Sequence, residues 1–349
     1  MLPIRFVARP SDLPKGAPAL TLDGAFPSAP GSTGLHLAHW PGNRTPAALR
    51  RDLSTEIAFA FLGLPSDERA RALDGSEFIA LNHYDTDGIC ALFVLTRQEE
   101  AQRHRELLVD VAASGDFHAV RSEHALCIDA ALRNLAGEDK LALVHEALDL
   151  LGQLLGDPEA AAQRSAQDLA AYRADRAALD GALHDDLIYM DMAVWTAPLR
   201  AAGGPLFDPG RHAFFAEARA DRALLLGRTA DGTTARFVLG TYSFFDVVSR
   251  KPSPRPNLAA LTAQLNAEEG CATDGAFCWR HQDPSGASPE LWFGKAGLPL
   301  YAEHAAEFLG ESRLSPETVK ALCIDAVRDA WPLPDDDDEA DDDEDIFAV

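Results

Sequence analysis

Paired cysteines, long apolar runs and positive charge are all scarce in this sequence of 349 residues. The five cysteines (Cys90, Cys127, Cys271, Cys278 and Cys323) are odd in number and form no CxxC pair. Reduced, mostly buried thiols are expected, and a disulfide framework is excluded. Cys271 and Cys278 with His281 lack zinc-finger spacing. No apolar stretch approaches the ~20 residues needed to cross a bilayer, and MLPIRFVARPSDLPKG at the N-terminus is too broken by proline for a signal segment. A cytoplasmic protein with no membrane partner is expected. Lys and Arg number 31 against 55 Asp and Glu, for a net charge of −24. Ten of those acids lie in Asp335 to Asp345, and setting the ten aside still leaves −14. A body this acidic repels duplex nucleic acid, whose non-specific affinity comes from Lys and Arg on phosphates. A small anionic substrate remains compatible. Also missing are a GxSxG elbow, a P-loop, an HExxH helix and a convincing GxGxxG, which argues against serine hydrolases, P-loop NTPases, zincins and Rossmann oxidoreductases.

What is present is a globular composition, 47% hydrophobic and 25% charged, in a chain long enough for about two domains with sizeable cores. The pattern predicts an α/β fold. Residues 1–120 form an N-terminal α/β domain with a mainly parallel sheet and flanking helices, 121–183 an alanine-rich helical connector, 184–332 a smaller C-terminal α/β domain with a β-hairpin, and 333–349 a disordered acidic tail ending in the apolar tip Ile346 to Val349. Extended segments are expected at Ala19 to Asp23, Leu35 to His39, Glu77 to Asn82, Leu107 to Ala112 and Asp186 to Val194. The hairpin pairs Arg222 to Arg228 with Ala235 to Phe244 around Ala230-Asp231-Gly232-Thr233. Further strands are expected near Phe277 to Arg280 and Glu290 to Phe293. Thr45-Pro46 reads as the cap and first residue of a helix through Phe61, and helices are expected after Ser66, from Ile89, at Leu258 to Glu268 and from Ser315 to Trp331.

The most informative stretch is NHYDTDG, Asn82 to Gly88. It places His83, Asp85 and Asp87 at alternate positions between a strand and an apolar helix, at the carboxyl edge of a sheet where α/β proteins bind ligands. Imidazole and carboxylate donors together suit Mn²⁺ or Mg²⁺. A plainer reading has Asp85 and Asp87 capping the helix while His83 packs. His39, at the end of another strand, is a further candidate ligand. A tight strand-to-helix connection explains the neighbouring Pro41, Gly42 and Thr45 equally well.

Strand, HxDxDG, apolar helix resembles the first motif of the DHH phosphoesterase superfamily, over Glu77 to Leu107. The resemblance implies clustered Asp and His around two divalent metals, usually manganese, and cleavage of phosphoesters or phosphoanhydrides. The Asp-His-His triplet that names the superfamily is missing, as is its glycine-rich C-terminal substrate motif, so further ligands must come from elsewhere. Asp110, Asp116, His118 and His124 are nearest in sequence, and Asp110 most resembles the second motif of the family. The order HWPGN, NHYDTDG, SGDF also resembles that of a bacterial family to which no activity is attached.

For the substrate anion, the loop Ser249 to Asn257 (SRKPSPRPN) offers Arg250, Lys251 and Arg255, and Arg44 follows the turn after His39; guanidinium forks suit phosphate bidentately. A solvated, proline-rich loop accounts for the same residues. Tyr242, Phe244 and Phe245 are either core residues or a stacking surface. The expectation is a divalent-metal-dependent phosphoesterase in which His83, Asp85, Asp87, Asp110, Asp116 and His39 are metal ligands and Asp85, Asp87 and Asp110 carry the chemistry. The alternative is a non-catalytic anion-binding or regulatory protein on a degenerate DHH-like scaffold.

Overall fold

The computed structural model describes residues 2–9, 12, 19–24, 34–218, 220–272 and 275–331. The acidic stretch and its apolar tip, read from sequence as a tail, lie outside them. The N-terminal part is an α/β layer built from β1 (Ile4–Phe6), β2 (Ala19–Leu22), β3 (His36–Leu37), α1 (Ser54–Leu62), α2 (Ser66–Ala72), β4 (Phe78–Leu81), α3 (Thr86–Thr96), α4 (Gln98–Arg103) and α5 (Arg105–Phe117). Its four strands run in the order β1-β4-β2-β3 and every pairing is parallel. All four residues of β2 and of β4 are buried, as parallel strands covered on both faces require. Helix α3 is buried from Thr86 through Val94 and packs against α1, α5 and α7 (Lys140–Leu155), which explains its continuous apolar sequence.

Two local expectations are corrected. Leu107 to Ala112 is not a strand but part of α5, where Leu108, Val111 and Ala112 are buried at helical spacing; a six-residue apolar run does not distinguish the two periods. Thr45 does not cap a long helix. Its hydroxyl accepts from Ala38 N at 2.9 Å and donates to Ala38 O at 2.7 Å, stitching the end of β3, and α1 begins only at Ser54.

Helices α6 (Glu123–Arg133), α7, α8 (Pro158–Arg164) and α9 (Ala166–Asp180) follow. α6 packs against α3 and α5, and α9 against α10 (Arg211–Glu217), so these helices share one apolar core with the first sheet. The second sheet comprises β5 (Leu183–Leu187), β6 (Met192–Ala197), β7 (Arg222–Arg228), β8 (Thr233–Leu239), β9 (Cys278–His281) and β10 (Glu290–Gly294), in the order β5-β6-β7-β8-β10-β9. Only β6 and β7 run parallel, and β7 and β8 form the expected hairpin, although β8 ends at Leu239 and the expected strand residues 241–244 are a turn. The stretch expected as one strand, Asp186 to Val194, is instead the end of β5, a 3-10 turn and the start of β6. Alternation assigns the two faces: Met192 and Val194 pack with α11 (Leu258–Glu269) and α12 (Pro316–Arg328), while Ala193 and Trp195 join the larger core. No helix among the described residues is long and apolar enough to cross a membrane.

Beneath the second sheet lies a fully buried ion network. Glu290 accepts from Arg236 Nε at 2.6 Å and Nη2 at 3.1 Å, and also pairs with Arg211; Arg236 reaches Asp208 at 3.1 Å. Both arginines also bond the Ala302 carbonyl, and Arg236 bonds that of Glu303 at 3.0 Å, so the network fixes the loop that carries Glu303. Glu290→Ala leaves two guanidinium groups facing each other without their shared counter-charge. The expected loss is about 3–5 kcal/mol of stability, read from the urea-unfolding midpoint.

Candidate metal centre and its cavity

The strand order decides which residues meet. β2 lies between β4 and β3, so Asp23, immediately after β2, stands between His83 beyond β4 and His39 beyond β3. Asp23 has a φ of +47° and precedes Gly24 at +91°; this left-handed step turns the chain at the sheet edge, and Asp is among the few non-glycine residues that tolerate it. A Cβ at Gly24 would fall 2.1 Å from Asn82 Oδ1, so only glycine lets the two connections approach.

Both imidazoles are oriented alike. His39 Nδ1 meets the Asp52 carbonyl, an acceptor, so Nδ1 carries the proton and Nε2 faces inward. There it lies 3.1 Å from Asp116 Oδ2, 3.6 Å from Asp87 Oδ2 and 3.8 Å from Asp23 Oδ1. His83 Nδ1 meets Asn82 Oδ1 at 2.6 Å, and its Nε2 faces Asp85 Oδ2 at 2.6 Å and Asp23 Oδ2 at 3.1 Å. An imidazole fixed through one nitrogen by an oxygen acceptor, with the other turned to carboxylates, is how histidine is oriented for a metal.

The carboxylates are held from behind. Asp87 accepts from the Ser54 and Thr55 backbone N–H at 2.7 and 2.9 Å, the first turn of α1. Asp23 Oδ1 accepts from Trp40 Nε1 at 3.0 Å and Ser54 Oγ at 2.7 Å. Asp85 caps α3 through Oδ1, accepting from Gly88 N at 2.8 Å, and turns Oδ2 to His83. Capping and a site role thus coexist in one side chain. Asp116 reaches the same point from the last turn of α5.

Three atoms here, Asp23 Oδ2, His39 Nε2 and Asp116 Oδ2, are buried and, among the described residues, have only the ion-pair contacts just given and no well-directed hydrogen bond, a condition that costs ~1–3 kcal/mol per group when nothing compensates it. Two triads, Asp23/His39/Asp87 and Asp23/His83/Asp85, offer ligand atoms within 4.8 Å of one another and share Asp23. The titration pattern shows a shortage of positive charge. Burial, aided by Asp23, pushes Asp87 up to about 7, and burial raises Asp116 well above the carboxylate range. Burial opposes ionisation of Asp23, but His83 and His39 overcome it and hold that group low. Burial opposes the charge of His39 too, yet Asp116, Asp87 and Asp23 raise it to about 9. Asp and His oxygens and nitrogens without thiolate are the donor set of Mn²⁺ or Mg²⁺ rather than of a structural zinc.

The centre opens into a cavity of about 480 Å³ lined on one side by Trp40, His83, Asp85 and Asp116 and on the other by His118, Arg133, His212, Tyr301 and Glu303. Residues 241–249 close it. Phe245 stacks on His39 with centroids 4.1 Å apart, Asp246 N donates to His39 O, and Asp52 accepts from Val248 and Ser249 N.

Of the residues expected from sequence, His39, His83, Asp85, Asp87 and Asp116 are brought together. Asp110 is not: it lies on an outward face of α5 and pairs with Arg121 at 3.1 Å, a consequence of its segment being helix. His124 turns away to Leu154 O. The expected anion grip is also corrected. Arg250 pairs with Asp191 at 2.8 Å and lies over Tyr242; Arg255 donates to the carbonyls of Pro284, Gly286 and Ala287; Lys251 is exposed; Arg44 bonds His36 Nε2 at 2.6 Å. None of the four lines the cavity: the three guanidinium groups are drawn to nearer acceptors and Lys251 faces solvent.

Asp23, Asp129, Arg133, His212 and Glu303 were missed. An Asp-Gly step ending an apolar strand was the available signal for Asp23, and an acid inside the apolar run LCIDAAL the signal for Asp129. His212 donates from Nε2 to Asp129 at 3.2 Å and from Nδ1 to Glu303 at 3.0 Å.

A family model described as "Family of unknown function (DUF6687)" matches residues 2–338. The chain belongs to that family. No curated protein matches it. In this family member the two His212 contacts make a testable pH dependence. Burial disfavours its charge, but Glu303 and Asp129 raise it from 6.5 to about 9. A folded-state pKa above the unfolded value stabilises fully below pH 6.5, and that contribution is lost as pH rises toward 9. The unfolding midpoint should therefore decrease as pH rises from 6.5 to 9, and the profile of His212→Gln should lack that part of the slope.

Proposed function

We propose that this protein is a divalent-metal-dependent phosphoesterase acting on a small phosphorylated or nucleotide-like substrate. The observation that carries the reading is the convergence of Asp23, His39, His83, Asp85, Asp87 and Asp116 on one sheet edge, with three buried polar atoms at its centre that have ion-pair contacts but no well-directed hydrogen bond among the described residues. A two-metal hydrolase needs roughly five or more Asp and His side chains around one point, whereas an anion-binding relic needs fewer; gathering six favours the enzyme. Asp23 is common to both triads, whereas Asp110, expected from sequence as a ligand, pairs with Arg121 away from the site. The resemblance of HxDxDG to the first DHH motif points to the same chemistry, with Asp116 and His39 in place of the absent triplet.

When bound, Mn²⁺ or Mg²⁺ supplies Lewis acidity, polarising a phosphoryl oxygen and lowering the pKa of water. His39, His83, Asp23, Asp85, Asp87 and Asp116 would hold it. The protein's own part is preorganisation: Asp52 and Asn82 aim the imidazoles, the first turn of α1 fixes Asp87, and Ser54 and Trp40 fix Asp23. Phe245 and Trp40 limit water at the inner wall, which strengthens every charge interaction there.

Asp23→Asn is the sharper probe than Asp87→Asn, because Asn keeps the acceptor for Trp40 and Ser54 and tolerates the left-handed backbone, whereas at 87 it would set an amide NH₂ against a backbone N–H. Asp23→Asn combined with Asp85→Asn should weaken Mn²⁺ binding by ~100-fold or more in calorimetry while the melting temperature is retained. Activity on a phosphomonoester and phosphodiester panel with Mn²⁺ should vanish with it. Unchanged Mn²⁺ affinity in that variant would end the reading.

A further inference from the structure

The cavity wall across from the carboxylates differs in kind from the metal centre. Arg133 Nε donates to buried Asp129 Oδ2 at 2.9 Å, which sets the plane of the guanidinium. Its side chain is 40% exposed, lines the cavity, and leaves both terminal amino groups without a hydrogen-bond partner among the described residues. Asp129 is spent on its own neighbours: Oδ1 accepts from Thr86 Oγ at 2.6 Å, and Oδ2 takes both Arg133 and His212. Glu303 is spent likewise, Oε1 on His212 N and Oε2 on His212 Nδ1. His212 thus gives both ring nitrogens to carboxylates as a donor and has no lone pair for a cation. His118, in the left-handed step that ends α5, presents a ring with no hydrogen bond among the described residues. His118, His212 and Glu303 offer ligand atoms within 4.8 Å of one another, but both Glu303 oxygens already accept from His212, so what this wall turns to the cavity is chiefly N–H, with its open donors on the Arg133 guanidinium.

We propose that Arg133, flanked by His118 and His212, seats a second anionic group of the substrate, distinct from the phosphoryl group that faces the carboxylates. The assignment deepens the phosphoesterase reading and rests on it for which group reacts. The substrate class is then a small phosphoester carrying another phosphate or a carboxylate. A guanidinium held at Nε and open at both amino groups presents the fork that fits two oxygens of such a group. The seat and the metal centre are joined twice, by the Thr86–Asp129 bond, since Thr86 stands between Asp85 and Asp87, and by the end of α5, which carries both Asp116 and His118.

The test is calorimetry on the full chain with unreactive probes: methylphosphonate, with one anionic group; propane-1,3-diphosphonate, with two phosphonates; and 3-phosphonopropionate, with a phosphonate and a carboxylate. The wild type should bind at least one two-anion probe roughly tenfold or more tighter than methylphosphonate. Whichever two-anion probe is preferred identifies the second group. Arg133→Gln should abolish that preference while methylphosphonate and Mn²⁺ affinities stay within about twofold, and Arg133→Lys should restore part of it. His118→Asn, suited to the left-handed position, provides a second variant with the same expected direction. No preference in the wild type, or a preference that survives Arg133→Gln, overturns the proposal. Mn²⁺ uptake that persists in Asp23→Asn/Asp85→Asn and disappears with His118→Asn would place a cation on this wall and overturn it as well. A wild type that binds no Mn²⁺ but shows a two-anion preference abolished by Arg133→Gln refutes the metal reading while upholding the anion seat.

Discussion

Gathering four carboxylates at one sheet edge, three of them buried, with two imidazoles as their counter-charge is the constraint around which the N-terminal half is built. Asp23, Asp87 and Asp116 have almost no solvent contact, and an isolated buried charge is too costly to persist. Each is therefore tied to something rigid: Asp87 to the first N–H groups of α1, Asp23 to Trp40 and Ser54, Asp116 to the facing nitrogen of His39. Even so, the charges do not balance. Asp87 and Asp116 are pushed toward their neutral forms, and three polar atoms at the centre have ion-pair contacts but no well-directed hydrogen bond among the described residues. What this arrangement lacks is positive charge, which the divalent cation proposed above would supply.

The second half completes the cavity by reaching across to that edge. Phe245 covers His39, and Asp52 anchors the chain at Val248 and Ser249. Deeper in, Glu290 holds Arg211 and Arg236 together; they hold the 302–303 backbone; and Glu303 and Asp129 then fix His212. A network buried for the sake of fold thus ends at the cavity wall. One carboxylate, Asp129, touches both sides of the cleft, through Thr86 to the loop of Asp85 and Asp87 and directly to Arg133 and His212.

Local pattern was a good guide where the signal was itself local. The HxDxDG stretch, the buried strand before it, the apolar helix after it, the hairpin at Asp231-Gly232 and the Ser315-Pro316 helix start all depend on neighbours within a few residues. The guide failed at LLVDVA, where six apolar-rich residues fit strand and helix alike. Packing of α5 between α3 and α6 decided for helix and rotated Asp110 out to Arg121. It failed again at SRKPSPRPN, because a cationic loop in an acidic protein finds internal acceptors before it finds a ligand.

By itself the sequence determined that this is an α/β protein, and that His83, Asp85 and Asp87 lie together just after one strand, since the few residues between a strand end and the first turn of a helix cannot stray far apart. That His39, Asp23 and Asp116 join them was decided by the order β1-β4-β2-β3 and by the path of α5. So was the meeting of Arg133 with His212, 79 positions apart in the chain. The physical reason is range. Hydrogen bonding and side-chain periodicity act over a few residues, whereas the convergence of charges from distant segments depends on which hydrophobic faces are buried against one another.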